Sequence, residues 1–181
     1  MKDARVSVVG AADNRVIRGP QAQALLPCIT AATSGSTRLS AGIVVMPPRA
    51  SSKVHFHEHS DIIVIAVAGH ALTLTGPDLT PHIHAAGEFI FVPAGVLHMA
   101  VNLSSSSPLT AVEVRTDPEF NDDVVLCPDR EIEAKLRAEE LRKKFETEQR
   151  KRADDDSSFL APWMMRAHEC VWVDRVVKRS D

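Results

Sequence analysis

The stretch from Gly87 to Asn102 reads G-E-F-I-F-V-P-A-G-V-L-H-M-A-V-N, two short apolar runs arranged about a Pro93-Ala94-Gly95 turn signal. Upstream, residues 55–59 read H-F-H-E-H and run on into the apolar stretch Ile62 to Ala68. Successive side chains of a strand point to opposite faces, so His55 and His57 project from one face, about 6.6 Å apart along the chain. Two imidazoles so placed can grip one ion. A third donor must come from elsewhere in the sequence, and His98, just past the turn, supplies it if that turn folds its strand back alongside the first pair. A metal site of His55, His57 and His98 is the leading functional expectation.

Working outward, short β-rich runs alternate with turn signals: Leu39 to Met46, Val54 to His59, Ile62 to Ala68, Ala71 to Thr75, Phe89 to Val92, Met99 to Asn102 and Leu109 to Arg115. Such spacing predicts an all-β barrel or jelly roll over residues 37–118. Residues 1–36 read as an N-terminal arm packed on it, with an alternating stretch at Arg5 to Val9, a Gly19-Pro20 break and a small-residue loop. Residues 119–181 read as a C-terminal helical extension. Within it, Asp129 to Ala153 lacks Gly and Pro and predicts a helix with Asp129 as its N-cap. Its apolar stripe of Ala134, Ala138, Leu141 and Phe145 is narrow, which implies one-sided docking on the barrel or on a partner subunit. Beyond a polar linker, Phe159 to Val177 forms a last apolar patch holding Trp163 and Trp172, and its pattern fits strand or helix equally.

The composition sets limits on class. With 181 residues and 44% apolar content the chain fits one small globular domain with an appendage. Its 21 basic residues are dispersed among 24 acidic ones, for a net charge of −3, and form no basic face for nucleic acid. Cys28, Cys127 and Cys170 are odd in number and widely spaced, poor material for a disulfide framework, so a cytoplasmic setting is expected. No apolar run approaches the ~18 residues of a membrane span, and no leader-like apolar region follows Met1.

The histidine segments carry a resemblance to the cupin superfamily. Its second motif has the form G-x5-P-x-G-x2-H-x3-N, and Gly87, Pro93, Gly95, His98 and Asn102 match every fixed position. Its first motif, G-x5-H-x-H-x3-4-E-x6-G, is matched at His55, His57 and Gly69, whereas Arg49 stands at the opening glycine and Ile62 at the glutamate. The resemblance implies a single-domain cupin: a double-stranded β-helix, or jelly-roll barrel. Without the carboxylate, the site resembles that of the three-histidine cupins, which include thiol dioxygenases and a β-diketone-cleaving dioxygenase. Three neutral imidazoles leave the charge of a divalent ion uncompensated, which suits an anionic bidentate substrate such as an enolate, catecholate or thiolate-amine.

Alternatives stay open at several positions. Asp61 lies one residue before the glutamate position, and a one-residue bulge would bring it inward as a fourth ligand. His59 continues the alternation, but three inward positions span about 13 Å, too far for one ion, which casts it as a pocket residue. Glu113, in V-E-V-R-T-D-P, resembles an acidic residue found near the metal in some cupin isomerases and sugar-modifying enzymes; pointing inward it is a general acid/base, outward a solvated residue. His70, His82, His84 and His168 read as exposed or structural, and Asn102 as a backbone hydrogen-bonder. The first functional expectation is an O2-using dioxygenase with Fe(II), with Zn, Ni, Cu or Mn as other candidates, acting on a small molecule within a cavity lined by Ile62, Val64, Val92 and Met99. Two others stand beside it: a redox-free isomerase, cyclase or lyase using Glu113 or His59, and a non-enzymatic binding or regulatory cupin. A homodimer is expected, with no nucleic-acid or membrane partner.

Overall fold

Alternating apolar residues become alternating buried ones. The computed structural model describes residues 6–157 and contains β1 (Ile17–Arg18), β2 (Ala24–Ile29), β3 (Ser40–Met46), β4 (His55–His57), β5 (Ile62–Ala68), β6 (His70–Thr75), β7 (Thr80–Ala85), β8 (Phe89–Val92), β9 (His98–Asn102), β10 (Leu109–Arg115) and β11 (Val124–Leu126). They form two antiparallel sheets of the jelly-roll type, one in the order β1-β2-β3-β10-β5-β8 and the other β11-β4-β9-β6-β7. In β10 the buried side chains are Leu109, Ala111, Glu113 and Arg115, a period of two that sets one face toward the interior. The run expected over Val54 to His59 shortens to three paired residues. Thr80 to Ala85, absent from the expected strands, is a full strand whose antiparallel register with β6 runs from His70↔Ala85 to Thr75↔Thr80.

The N-terminal arm contributes its β-structure later than the alternation at Arg5 to Val9 suggests. Val6 and Val8 are almost fully exposed and have no strand partner among the described residues, because alternation without a neighbouring edge gives a strand nothing to bond to. Instead β2 joins β3 along the register Ala24↔Val45 to Ile29↔Ala41 and buries Leu25 in a cluster with Val44, Met46, Ala71, Leu109 and Phe120. The α1 turn (Ala31–Ser34) follows, N-capped by Thr30. At the β5–β6 junction Gly69 has φ +91°, and a Cβ there would lie 3.2 Å from the Pro108 carbonyl oxygen, so both conformation and space favour glycine.

The predicted helix is α2 (Glu131–Ser157). Asp129 is not its N-cap: Pro128–Arg130 form a 3-10 turn, since proline at the first position favours an immediate tight turn, and the α-helix begins two residues later than Asp129. Ala134 and Ala138 are buried and Leu141 half-buried, while Ile132 and Leu136 on other faces stay exposed. The start of the helix is tied to its own barrel: Glu131 Oε2 accepts from Val54 N at 2.8 Å, and the buried Arg142 donates to the carbonyls of Asn102 at 3.3 Å and Arg49 at 3.0 Å. Residues 159–177, with Trp163, Trp172, His168 and Cys170, lie outside the described residues, and so does the strand-or-helix question they raise.

Candidate metal centre

The strand register brings the three histidines together. His55 pairs directly with His98 across β4 and β9, and His57, two residues on, shares the inward face. The hinge is the predicted turn: Gly95 adopts φ +76° and donates its N–H to the His57 carbonyl at 2.7 Å, while Val96 N closes on the Pro93 carbonyl at 3.2 Å. The ring centroids of His55, His57 and His98 are 4.2 to 5.5 Å apart, and one ring nitrogen of each lies within 4.8 Å of the others. Among the described residues these three alone form such a group.

What the other ring nitrogen does decides how the site works. His55 Nδ1 lies 2.8 Å from the Lys53 carbonyl, His98 Nδ1 2.9 Å from the Val96 carbonyl, and His57 Nδ1 2.9 Å from Asp123 Oδ1. Each acceptor calls for a proton on Nδ1, which leaves each Nε2 a bare lone pair. His57 Nε2 is buried with no hydrogen-bond partner among the described residues, as a nitrogen reserved for an ion should be. All three side chains are at least nine-tenths buried. Burial is the first cause that lowers their pKa values, His55 well below its ordinary range and His98 to about 4; the neighbouring His98 adds to the effect at His55, and the Arg115 guanidinium at His57. The imidazoles are therefore neutral and ligand-ready at neutral pH. This donor set fits a divalent ion that takes nitrogen ligands.

Around the cluster lies a hydrogen-bonded polar network. Glu113 points inward beside the histidines, and Arg115 contacts its Oε1 through both Nε and Nη2 at 2.6 Å. Arg115 Nη1 donates to Asn121 Oδ1 at 2.8 Å, which also accepts from Gln21 Nε2 at 2.9 Å, and the guanidinium stacks 4.7 Å from the Phe120 ring. Partial burial opposes ionisation of Asp123, but hydrogen bonds from Ser60, His57 and the His59 amide outweigh it and hold the carboxyl well below the usual carboxylate range.

The remaining sequence candidates fall elsewhere. Asp61 is not brought into the histidine group: its Oδ1 accepts from Ala94 N at 3.0 Å and its own N–H donates to Thr116 Oγ1 at 3.0 Å, so the carboxylate pins the turn that carries His98. His59 faces outward, 78% exposed, because the alternation ends with β4. Ile62 and Val64 line the cavity together with Val92, as expected, but Met99 follows His98 in β9 and points to the opposite face. Asn102 bonds backbone, donating to the carbonyls of Met46, Pro47 and Ser107. His82 is exposed and meets Thr75 at 2.9 Å, whereas His84 is buried and lines the cavity.

Sequence reasoning missed Asp123, Arg115 and His84. Arg115 had a signal, standing two residues after Glu113 and so on its face of the strand. Asp123 had none, since it lies 66 residues from the His57 it holds.

Residues 42–115 match the cupin domain family. They form a cupin domain. No curated protein matches by sequence. Solved structures similar in fold include oxalate decarboxylase from Lactobacillus farciminis, in its formate complex (21% identity, 64% of this chain, 34% of that one, TM-score 0.54), and that of Bacillus subtilis, which has Mn(II) centres (18%, 64%, 30%, 0.54). A third is the Cnp3 cupin domain of Schizosaccharomyces pombe (15% identity, 62% of this chain, 75% of that one, TM-score 0.50). The chain spans about a third of the length of the oxalate decarboxylases. At these identities the likeness concerns the cupin fold alone. The cavity beside the histidines has a volume of about 50 Å³, and its walls are mainly apolar. No helix among the described residues is long and apolar enough to cross a membrane.

Proposed function

We propose that this cupin is a metal-dependent enzyme acting on a small bidentate organic anion, and that its reaction is an O2-using dioxygenation at a mononuclear centre held by His55, His57 and His98. The carrying observation is that hydrogen-bond acceptors at all three Nδ1 atoms leave the three Nε2 lone pairs for one ion. When bound, the ion supplies Lewis-acid polarisation of a chelated oxygen or thiol and, as Fe(II), redox chemistry with O2. Ile62, 2% exposed at the position where the family motif has glutamate, leaves the protein ligands uncharged, which favours an anionic substrate. Val64, Ile90 and Val92 exclude water from beside the histidines. Zinc, nickel, copper and manganese stand as alternatives, manganese with the added support of the likeness in fold to an enzyme with Mn(II) centres.

The inward orientation of Glu113 favours a second reading, redox-free isomerisation, cyclisation or elimination. Both Arg115 contacts fall on Oε1, leaving Oε2 to take or return a proton in the cavity. His59, on the outer surface, does not line that cavity. Anaerobic reconstitution with each ion, followed by oxygen uptake with enolisable diketones and small thiols, separates the readings. Uptake confined to the iron-loaded protein supports the first, and absence of uptake with every ion sinks it. Turnover without O2 that disappears in Glu113→Gln at unchanged metal content supports the second. The proposal includes a cytoplasmic setting and a homodimer. The outward row Ile63, Val67, Phe89 and Phe91 on the first sheet is an apolar face suited to a second copy, a point light scattering can decide.

A further inference from the structure

The cavity has a second polar end. Asn102 pairs with Ala71, and Ala71 with His84, so these lie in one row across the second sheet, whereas His98 lies in the row of Thr75. Four residues of β9 separate the rows, about 13 Å of strand. Asn102 Nδ2 reaches the Met46 carbonyl at 3.1 Å, and Gln23 lies against Met46, so the His84 row meets the end of the first sheet remote from Glu113. Between the two ends the walls are Val44, Ala100 and Ala111.

His84 is buried and lines the cavity. Its Nε2 shares a 3.1 Å hydrogen bond with Thr73 Oγ1, and its Nδ1 is buried with no partner among the described residues. Buried polar atoms are nearly always paired, so an imidazole left half-satisfied against a cavity calls for a group to meet it. We propose that His84 and Thr73 form a second recognition subsite, which takes a hydroxyl or carbonyl oxygen on the tail of a mostly apolar molecule whose chelating head is held at the three histidines. The subsite rests on the metal-centre reading above. A carboxylate tail is excluded by the surroundings, since no Lys or Arg lines the cavity to offset a buried charge. A hydroxyl fits either imidazole tautomer, because it both donates and accepts.

The test uses the full chain loaded with Co(II) and two probe series, straight-chain alkyl hydroxamates of four to eight carbons and their ω-hydroxy counterparts. At one chain length the added hydroxyl should tighten binding about tenfold, the worth of one hydrogen bond to a buried partner. The gain should vanish in Thr73→Val/His84→Leu, which still binds the unsubstituted series. In the unaltered protein, the ¹⁵N resonances of His84 should move with the ω-hydroxy probe and not with its parent, a readout that needs no variant to fold. A hydroxyl that weakens binding at every length, or a gain that survives in the double variant, overturns the subsite. If neither series perturbs the Co(II) spectrum, the chelating centre itself fails and the subsite with it, a pattern distinct from loss of the hydroxyl difference alone.

Discussion

Residues 87–102 and residues 49–69 carry the two halves of one site, and they treat substitution differently. In the first, each motif position keeps its residue: Gly87 and Gly95 have positive φ, and the Asn102 amide holds three carbonyls. In the second, Arg49 adopts φ +63° where the motif has glycine, and Ile62 buries an isobutyl-sized side chain where it has a carboxylate. The two departures are unequal. A residue other than glycine in the left-handed region costs about 1 kcal/mol, and here the backbone is held in place by the Arg49 N–H bonding the Ser104 carbonyl and by Arg142 on the Arg49 carbonyl. Replacing a carboxylate by an alkyl group changes the charge of the proposed ligand set, and no carboxylate among the described residues joins the histidine group in its place. Backbone requirements can be met by substitutes, whereas a ligand's charge cannot.

The comparison can be broken most forcefully at its intact half. His98→Ala removes one of three nitrogen donors and should cut affinity for Zn(II) or Co(II) at least about 100-fold, beyond the range of outer-shell changes. Titration calorimetry measures it, and affinity within tenfold of the parent would show that the three histidines do not form the site. Next, Asp123→Asn should weaken metal binding by about 10- to 100-fold, since Asn can offer Nδ1 an oxygen but not a charge; unchanged affinity would reduce Asp123 to a loop anchor.

Ile62→Glu tests the departed half. It should raise metal affinity about tenfold while lowering the stability of the metal-free protein by a few kcal/mol, because an unpaired carboxylate is then buried. A variant destabilised equally with and without metal would mean that position 62 does not reach the ion. Acid provides a fourth test. The histidine pKa values are lowered in the folded state, so the unfolded chain takes up protons first, and the stability these residues contribute is full above about pH 6.5 and lost as the pH falls toward the value of about 4 at His98. The melting temperature of metal-free protein should fall across that window, a fall absent in His98→Ala if His98 is its main source. The smallest effect belongs to Arg49→Gly, a change within about 1 kcal/mol as relief of the left-handed strain offsets the added freedom of the unfolded chain. Chemical denaturation reads it, and a larger loss would show that the side chain anchors α2 through its contact with Glu139.

Strands bounded by turn residues were legible where both alternation and punctuation were present, as in Ile62–Ala68 and Leu109–Arg115. Thr80–Ala85 was obscured because Pro81 and two polar histidines interrupt its apolar signal, while its pairing with β6 supplies what propensity lacks. The inward turn of Glu113 followed from parity once the register with Gly42 and Val64 was fixed, a matter that no count along one strand settles.

From the sequence alone, alternation and turn residues indicated an all-β barrel, and the two motifs supplied the resemblance to cupins and the identity of three histidines, because these are local patterns that short segments display. Tertiary structure alone decided what those histidines can do. Asp123 on His57 and Gln21 on Asn121 are contacts between residues far apart in the chain, and hydrogen-bond direction, burial and charge exist only once such residues meet.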